Sequence, residues 1–103
     1  MAMEKRKPHY DLGAVKIAVQ QRGADAFTAT ALVGAQSMGL DLAQAVSLVC
    51  AMTRADFYKS MTTYAASHVW QDVYHRAVPN GKVAYIKVTL RGDGSIVIQF
   101  KEK

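Results

Sequence analysis

The stretch KVAYIKVTLR at residues 82–91, the triplet GDG at 92–94 and the stretch SIVIQFK at 95–101 decide the fold. Apolar and polar residues alternate along both stretches, which is the two-residue period of a β-strand with one buried side. GDG is a hairpin turn signal, and PNG at 79–81 separates this pair from a further alternating stretch at 69–76. The C-terminal third of the chain therefore predicts an antiparallel meander of three strands.

Before residue 68 the apolar residues recur at helical spacing instead, which predicts three helices. Their caps are Asp11, then Thr28 or Thr30, then Asp41, and the first two helices end near Gly23 and Gly39. A short extended piece is expected at Ala26 and Phe27. Thr53 and Asp56 resemble a capping box, which predicts a further short helical turn over residues 54–59.

Helices that precede strands in this way indicate an α+β fold, with the N-terminal helices packed on one face of the C-terminal antiparallel sheet. The chain has 103 residues, half of them apolar, which is enough for one core. We therefore expect a single domain over residues 1–103.

The alternation divides the side chains of the last two strands between the two sides of the sheet. The side that faces the helices receives Ala84, Ile86, Val88, Leu90, Ile96, Ile98 and Phe100. The open side receives Tyr85, Lys87, Gln99 and Lys101, close enough across strands to act on one ligand. Gln71 joins them if Trp70 belongs to the core. Acidic residues are nearly absent from this set, which favours an anionic ligand, although any sheet with one solvated side carries polar residues there.

The net positive charge is concentrated in the C-terminal half of the chain, which contains these strands. Thirteen Lys and Arg against eight Asp and Glu give +5, of which residues 1–51 contribute +1 (five basic, four acidic) and residues 52–103 contribute +4 (eight basic, four acidic). Such a field suits nucleic acid or an acidic protein. Without a signal-peptide pattern or a membrane-length apolar run, we expect a cytoplasmic protein without membrane contact. The single cysteine, Cys50, is expected in the core.

Five motifs carry a resemblance to a known family. They are MEKR at 3–6, MGLD at 38–41, DFYKSMTTY at 56–64, WQDVY at 70–74 and IVIQFKEK at 96–103. With them the chain resembles the MqsR family, the toxin half of a bacterial toxin and antitoxin pair.

The resemblance implies a RelE-like microbial ribonuclease fold and an mRNA interferase, an endoribonuclease that inhibits translation by cutting mRNA at GC-containing, GCU-like sites. It also implies a cognate MqsA-like antitoxin, through which alone the protein would reach promoter DNA. The family's catalytic positions fall on Lys59 in FYKS, Gln71 in WQD, Tyr85 in the strand and Lys101 in FKEK.

RNA carries its own nucleophile, the ribose 2′-hydroxyl, so this chemistry needs neither a metal nor another cofactor. His9, His68 and His75 lack the spacing of metal ligands, and we expect the histidines to lie outside the site. Lys59 and Lys101 are expected to hold the scissile phosphate. Either lysine could also act as acid or base, because a neighbouring cation lowers the pKa of a lysine.

RNA-binding residues are expected around the four catalytic positions. Lys87, Arg91 and Gln99 would contact the RNA, mainly its backbone, and Tyr58 and Tyr64 would stack on unpaired bases. Trp70 would either stack in the same way or belong to the core. A function of another class is also compatible with the residues: a non-catalytic RNA-binding or antitoxin-interaction module that acts in transcriptional autoregulation.

Overall fold

The sheet and helices belong to a computed structural model that describes residues 2–65 and 67–103. The strands are β1 (Glu4–Lys5), β2 (Phe57–Met61), β3 (Gln71–Ala77), β4 (Val83–Leu90) and β5 (Ile96–Glu102). The helices are α1 (Leu12–Arg22), α2 (Ala29–Ser37) and α3 (Leu42–Ala51), with 3₁₀ turns at Gly23–Ala26 and Arg54–Asp56. The strands form one antiparallel sheet in the order β1-β2-β3-β4-β5. The predicted α+β class, with helices first, is confirmed.

Two strands at one edge of the sheet differ from the prediction. The capping box of Thr53 and Asp56 forms, but the helical turn ends at Asp56. The predicted helical continuation to residue 59 is wrong, because Phe57–Met61 pairs with β3 as a strand. β1 pairs with β2 in turn, although the sequence pattern predicts no strand there. The three predicted strands are present with bounds shifted by one or two residues.

Each helix begins where a side chain can accept a hydrogen bond from the exposed backbone of the first turn. Asp11 accepts from the N–H of Ala14, and Asp41 forms a complete capping box with Gln44. The sequence left the cap of α2 undecided between Thr28 and Thr30, and the structure shows that it is Thr28. These contacts fix the helix starts that the sequence predicted.

The core lies between the helices and one side of the sheet. Its strand residues include Tyr74, Ala84, Ile86, Val88, Ile96, Ile98 and Phe100, all buried as the alternation predicts for β4 and β5. From the helices, Val15, Val19 and Val49 pack against them. Cys50 was expected inside this core but is only half-buried, with its Sγ 3.9 Å from the backbone oxygen of Lys16.

α2 packs closely against β5. The N–H of Thr28 donates to the backbone oxygen of Ile98 at 3.1 Å, so the chain joins the edge of β5 just before the helix begins. Further along α2, Gly34 lies so near β5 that a Cβ atom on it would sit 2.2 Å from the backbone oxygen of Phe100. Only glycine permits this approach, which covers the edge strand with a helix.

The N-terminal segment before α1 is tied to the other edge of the sheet. The buried carboxylate of Asp72 accepts from the N–H groups of His9 and Tyr10, at 3.0 and 2.9 Å. Met3 and Thr62 exchange two hydrogen bonds, of 2.8 and 2.9 Å. β1 is therefore held at both of its ends, although it is only two residues long.

Across residues 2–65 and 67–103, no single helix has the length and apolar character needed to cross a membrane. α2 and α3 taken together would satisfy both criteria, but they are bent by 92° relative to each other.

Gly34→Ala should destabilise the fold by about 1–3 kcal/mol, because the added methyl group meets backbone that cannot move alone. Alanine ordinarily favours a helix by roughly 0.5–1 kcal/mol over glycine, so the steric term must exceed this gain. Urea unfolding followed by circular dichroism measures the difference. Gly92→Ala is the matched control, because a Cβ there meets nothing within 4 Å. Equal stability of Gly34→Ala and the parent would contradict the close approach.

Candidate functional site

Polar side chains from four neighbouring strands meet on the side of the sheet that the helices leave open, here called the open face. Cross-strand pairing aligns His75, Tyr85 and Lys101 in one row. The adjacent row contains Lys59, Val73, Lys87 and Gln99. Partners in an antiparallel pair project to the same side, so the two rows form one surface.

A β-bulge in β2 brings two consecutive side chains to this surface. Phe57 pairs with Tyr74 and Lys59 pairs with Val73, which leaves Tyr58 as the extra residue. The Tyr58 ring stacks on His75 of the open face, with centroids 4.5 Å apart and planes at 24°. Lys59 Nζ lies 5.5 Å from the centroid of the Tyr58 ring. The bulge therefore presents an aromatic ring and an ammonium group side by side.

Lys59 makes an ion pair with Glu4 of β1. The distance between Nζ and Oε1 is 2.5 Å, and the lysine side chain is 18% exposed. Hydrogen bonding to Glu4 raises the pKa of Lys59, and the same contact lowers the pKa of Glu4. Two expectations are thereby corrected: the open face carries a carboxylate, and the pKa of Lys59 moves upward because its nearest charged partner is acidic.

The lysine with a lowered pKa is Lys87. Burial is the larger cause of this lower pKa, and the positive charge of Lys101 adds to it. Both ammonium groups approach the ring of Tyr85, with Nζ at 5.9 Å for Lys87 and 5.4 Å for Lys101 from its centroid. Two ammonium groups are therefore close to the ring of Tyr85, and they attract an anionic ligand to this part of the open face.

His75 lies within the site, contrary to the expectation that the histidines would be outside it. Its ring is 5.4 Å from that of Tyr85, and its Nε2 is buried with no hydrogen-bond partner in the described part of the chain. Burial lowers the pKa of His75, and the charge of Lys103 lowers it further. The signal was present in the sequence, because His75 follows Gln71 and Val73 at the two-residue period of one strand side.

Gln71 also faces the open side, beside Met61 of β2. Its Oε1 is buried and has no hydrogen-bond partner among the residues described. Of the two places left open for Trp70, stacking on a base or burial in the core, the core is not the one observed, since Trp70 precedes β3 and is only half-buried. Trp70 is half-buried under the N-terminal segment, stacked on His9 with centroids 5.3 Å apart, and Lys5 Nζ lies 4.3 Å from its ring centroid. The side chain of Asp72 points to the helix side.

Two grooves run along the edges of this surface and meet at Gln99. The first, of about 350 Å³, lies between the start of α2 and β5 and is lined by Thr28, Thr30, Tyr85, Lys87, Gln99 and Lys101. The second, of about 450 Å³, is lined by residues that include His68, Gln71, Gln99 and Arg91. Tyr64 lies in the connection between β2 and β3 and is 82% exposed.

The open face offers a ligand amines, phenols, an imidazole, the amides of Gln71 and Gln99 and the carboxylate of Glu4. Over residues 2–65 and 67–103, no three His, Cys, Asp or Glu side chains are placed to hold one metal ion. The groups of the open face are instead donors and charges suited to a phosphodiester.

Comparison with known proteins agrees with this chemistry. The profile of the family described as "Motility quorum-sensing regulator, toxin of MqsA" matches residues 7–102. The mRNA interferase toxin MqsR of Escherichia coli strain K12 is 42% identical over 101 residues, covering 98% of this chain and 100% of the relative. The chain belongs to the MqsR toxin family.

Proposed function

We propose that this protein is the toxin of a type II toxin–antitoxin system, an endoribonuclease that cuts mRNA at GC-containing sites and so inhibits translation. Family membership and the relative's name, mRNA interferase toxin, support the activity. The observation that carries the proposal is the open face, where Lys59, Tyr85 and Lys101 share one surface with Gln71. The GC preference rests on the family resemblance.

The ribose 2′-hydroxyl attacks the adjacent phosphorus, and negative charge accumulates on the phosphorane oxygens. Lys59 is the group that stabilises this charge, since its raised pKa keeps it an ammonium ion at neutral pH. The amide of Gln71 donates a hydrogen bond to a phosphate oxygen or a base edge. Lys59 is held by its ion pair with Glu4 before RNA arrives, so its ammonium group needs little reorganisation in the transition state.

The leaving 5′-oxygen needs a proton as the P–O5′ bond breaks. Tyr85 supplies it from its hydroxyl, and the ammonium groups of Lys87 and Lys101 stabilise the phenolate that remains. Lys101 also attracts the phosphate, because it lines the groove beside Tyr85. The products are a 2′,3′-cyclic phosphate on one fragment and a 5′-hydroxyl on the other.

The RNA follows the two grooves across the open face. Lys87 and Arg91 contact its phosphates and Gln99, where the grooves meet, contacts a base or phosphate. The Tyr58 ring, 45% exposed and supported by His75, is a platform for an unpaired base, and Tyr64 offers a second ring nearer the connection. No base pair is needed for either contact.

The second partner in this proposal is a cognate antitoxin protein, as the family description states a "toxin of MqsA". DNA contact would be indirect, through that antitoxin, and the place of action is the cytoplasm, where mRNA is translated. If the purified protein binds RNA and leaves it intact, the non-catalytic module replaces this proposal.

The first test incubates purified protein with a defined mRNA, free of ribosomes and with EDTA present, and maps the ends by primer extension. Discrete cuts at GC-containing sites are expected. Lys59→Ala, Tyr85→Phe and Lys101→Ala should each slow cleavage by about 10² or more, because each removes a charge or proton used in the transition state.

Lys82→Ala is the matched control for Lys59→Ala, because Lys82 also pairs with a glutamate on the sheet, Glu102, at 3.2 Å. Its rate should equal that of the parent. Circular dichroism establishes that each variant is folded. Parent-like rates in folded Lys59→Ala and Tyr85→Phe would refute the assignment.

A second test separates affinity from chemistry. Lys87→Ala should weaken RNA binding and reduce the slope of log K against log salt concentration by about 0.7, the value for each phosphate that a protein neutralises on a single strand. Fluorescence anisotropy with a short RNA measures this slope. Lys16→Ala on α1, which packs on the other side of the sheet, should leave it unchanged. An unaltered slope for Lys87→Ala would show that Lys87 does not neutralise a phosphate of the bound RNA.

A further inference from the structure

Glu4 is the carboxylate that the N-terminal strand adds to the open face. It pairs across strands with Met61, which in turn pairs with Gln71, so all three side chains project to this side. Other acidic side chains of the sheet are engaged elsewhere: Asp72 is buried on the helix side, and Glu102 pairs with Lys82. The Glu4 side chain is 53% exposed beside Lys59 and is therefore open to a ligand.

The position of Glu4 is set by contacts on both sides of it. Met3 and Thr62 exchange hydrogen bonds on one side, and the backbone of His9 and Tyr10 is held by Asp72 on the other. β1 extends the sheet between them. The carboxylate is thus held next to Lys59 by the fold and by the ion pair together.

RNA cleavage needs a base for the proton of the 2′-hydroxyl. Lys59 is protonated, and the Nε2 of His75 is buried beneath the rings of Tyr58 and Tyr85. Glu4 is ionised at neutral pH, because Lys59 and Arg6 lower its pKa. When a phosphate shares the ammonium group of Lys59, the negative charge of the phosphate raises the basicity of the carboxylate again.

Strand order places Glu4 on the correct side of the phosphate. Attack by the 2′-oxygen and departure of the 5′-oxygen are roughly in line, so base and acid must lie on opposite sides of the phosphorus. Glu4 and Lys59 belong to β1 and β2, whereas Tyr85 and Lys101 belong to β4 and β5. The backbones of β1 and β4 are three strand spacings apart, roughly 14 Å, and the row of Glu4 lies four residues along β3 from that of Tyr85, from Gln71 to His75. A nucleotide therefore has room between the two side chains.

We propose that Glu4 is the general base of the cleavage reaction, a role that rests on the proposed ribonuclease function. One Oε atom takes the proton of the 2′-hydroxyl while the 2′-oxygen forms its bond to phosphorus. The P–O5′ bond breaks, and the 5′-oxygen takes the proton of Tyr85. Proton exchange with water then returns Glu4 to the carboxylate and Tyr85 to the phenol.

Glu4→Gln tests this role, because the amide oxygen can still accept a hydrogen bond from Lys59 but is not basic. Single-turnover cleavage should slow by about 10² or more, with RNA affinity unchanged or higher. Its pH profile is the decisive readout. Above neutral pH the variant should gain about tenfold in rate per pH unit, as hydroxide replaces the missing base, whereas the parent, whose carboxylate is already ionised there, should show no such gain. Lys59, the cation paired with Glu4, stays charged at neutral pH because hydrogen bonding to Glu4 raises its pKa.

Glu102→Gln is the matched control, because Glu102 is 52% exposed and pairs with a lysine of the sheet in the same way. It should cleave like the parent. Glu4→Asp keeps the carboxylate on a shorter side chain, and its rate should lie between those of the parent and Glu4→Gln. Equal rates for Glu4→Asp and Glu4→Gln, or a fast Glu4→Gln, would overturn the proposal. Failure of the parent itself to cleave would instead overturn the ribonuclease function.

Discussion

The packing of three helices against one side of the sheet is the constraint on which the rest of the structure depends. Because side chains alternate along a strand, burial of Ile86 and Ile98 forces Tyr85, Lys87 and Gln99 onto the opposite side. A shift of one residue in register would exchange the two sets, so the hydrophobic pattern fixes the site as firmly as it fixes the core. The approach of α2 to β5 at Gly34 completes this layer, and the start of the same helix forms one wall of the groove beside Tyr85.

Two adjacent residues of β3, Gln71 and Asp72, place their side chains on opposite sides of the sheet. Asp72 places its carboxylate in the interior, where backbone N–H groups of the N-terminal segment satisfy it, and a buried carboxylate needs such donors. Gln71, one residue earlier, turns its amide to the open face. The N-terminal segment before α1 is thereby fastened, at His9 and Tyr10, to the strand that also carries Gln71 and His75. Assembly of the site is therefore coupled to docking of the chain's N-terminal segment.

Much of the fold could be predicted because its signals are local. Helix caps, hairpin turns and the alternation in β4 and β5 each lie within a few residues. β2 was not predicted because the bulge at Tyr58 interrupts the alternation of apolar and polar residues. β1 was not predicted because two residues are too few to show a period. Glu4 and Lys59 are 55 positions apart, so their contact follows only from the strand order. The place of Trp70 could not be decided from the sequence, because β3 starts at Gln71, two residues after the start of the alternating stretch at 69–76.

Lys59 and Lys87, towards the two edges of the sheet, have opposite surroundings, and this difference supports the separate roles proposed for the two ends of the site. At the β1–β2 edge the carboxylate of Glu4 raises the pKa of Lys59, which suits a permanent cation that stabilises developing charge. At the β4–β5 edge burial and Lys101 lower the pKa of Lys87, so this edge suits groups that release a proton. An in-line phosphoryl transfer likewise needs different groups at its two ends, one that removes a proton and one that delivers a proton. Since strand order equals chain order, the arrangement of these groups across the sheet follows from the order in which the strands occur in the chain.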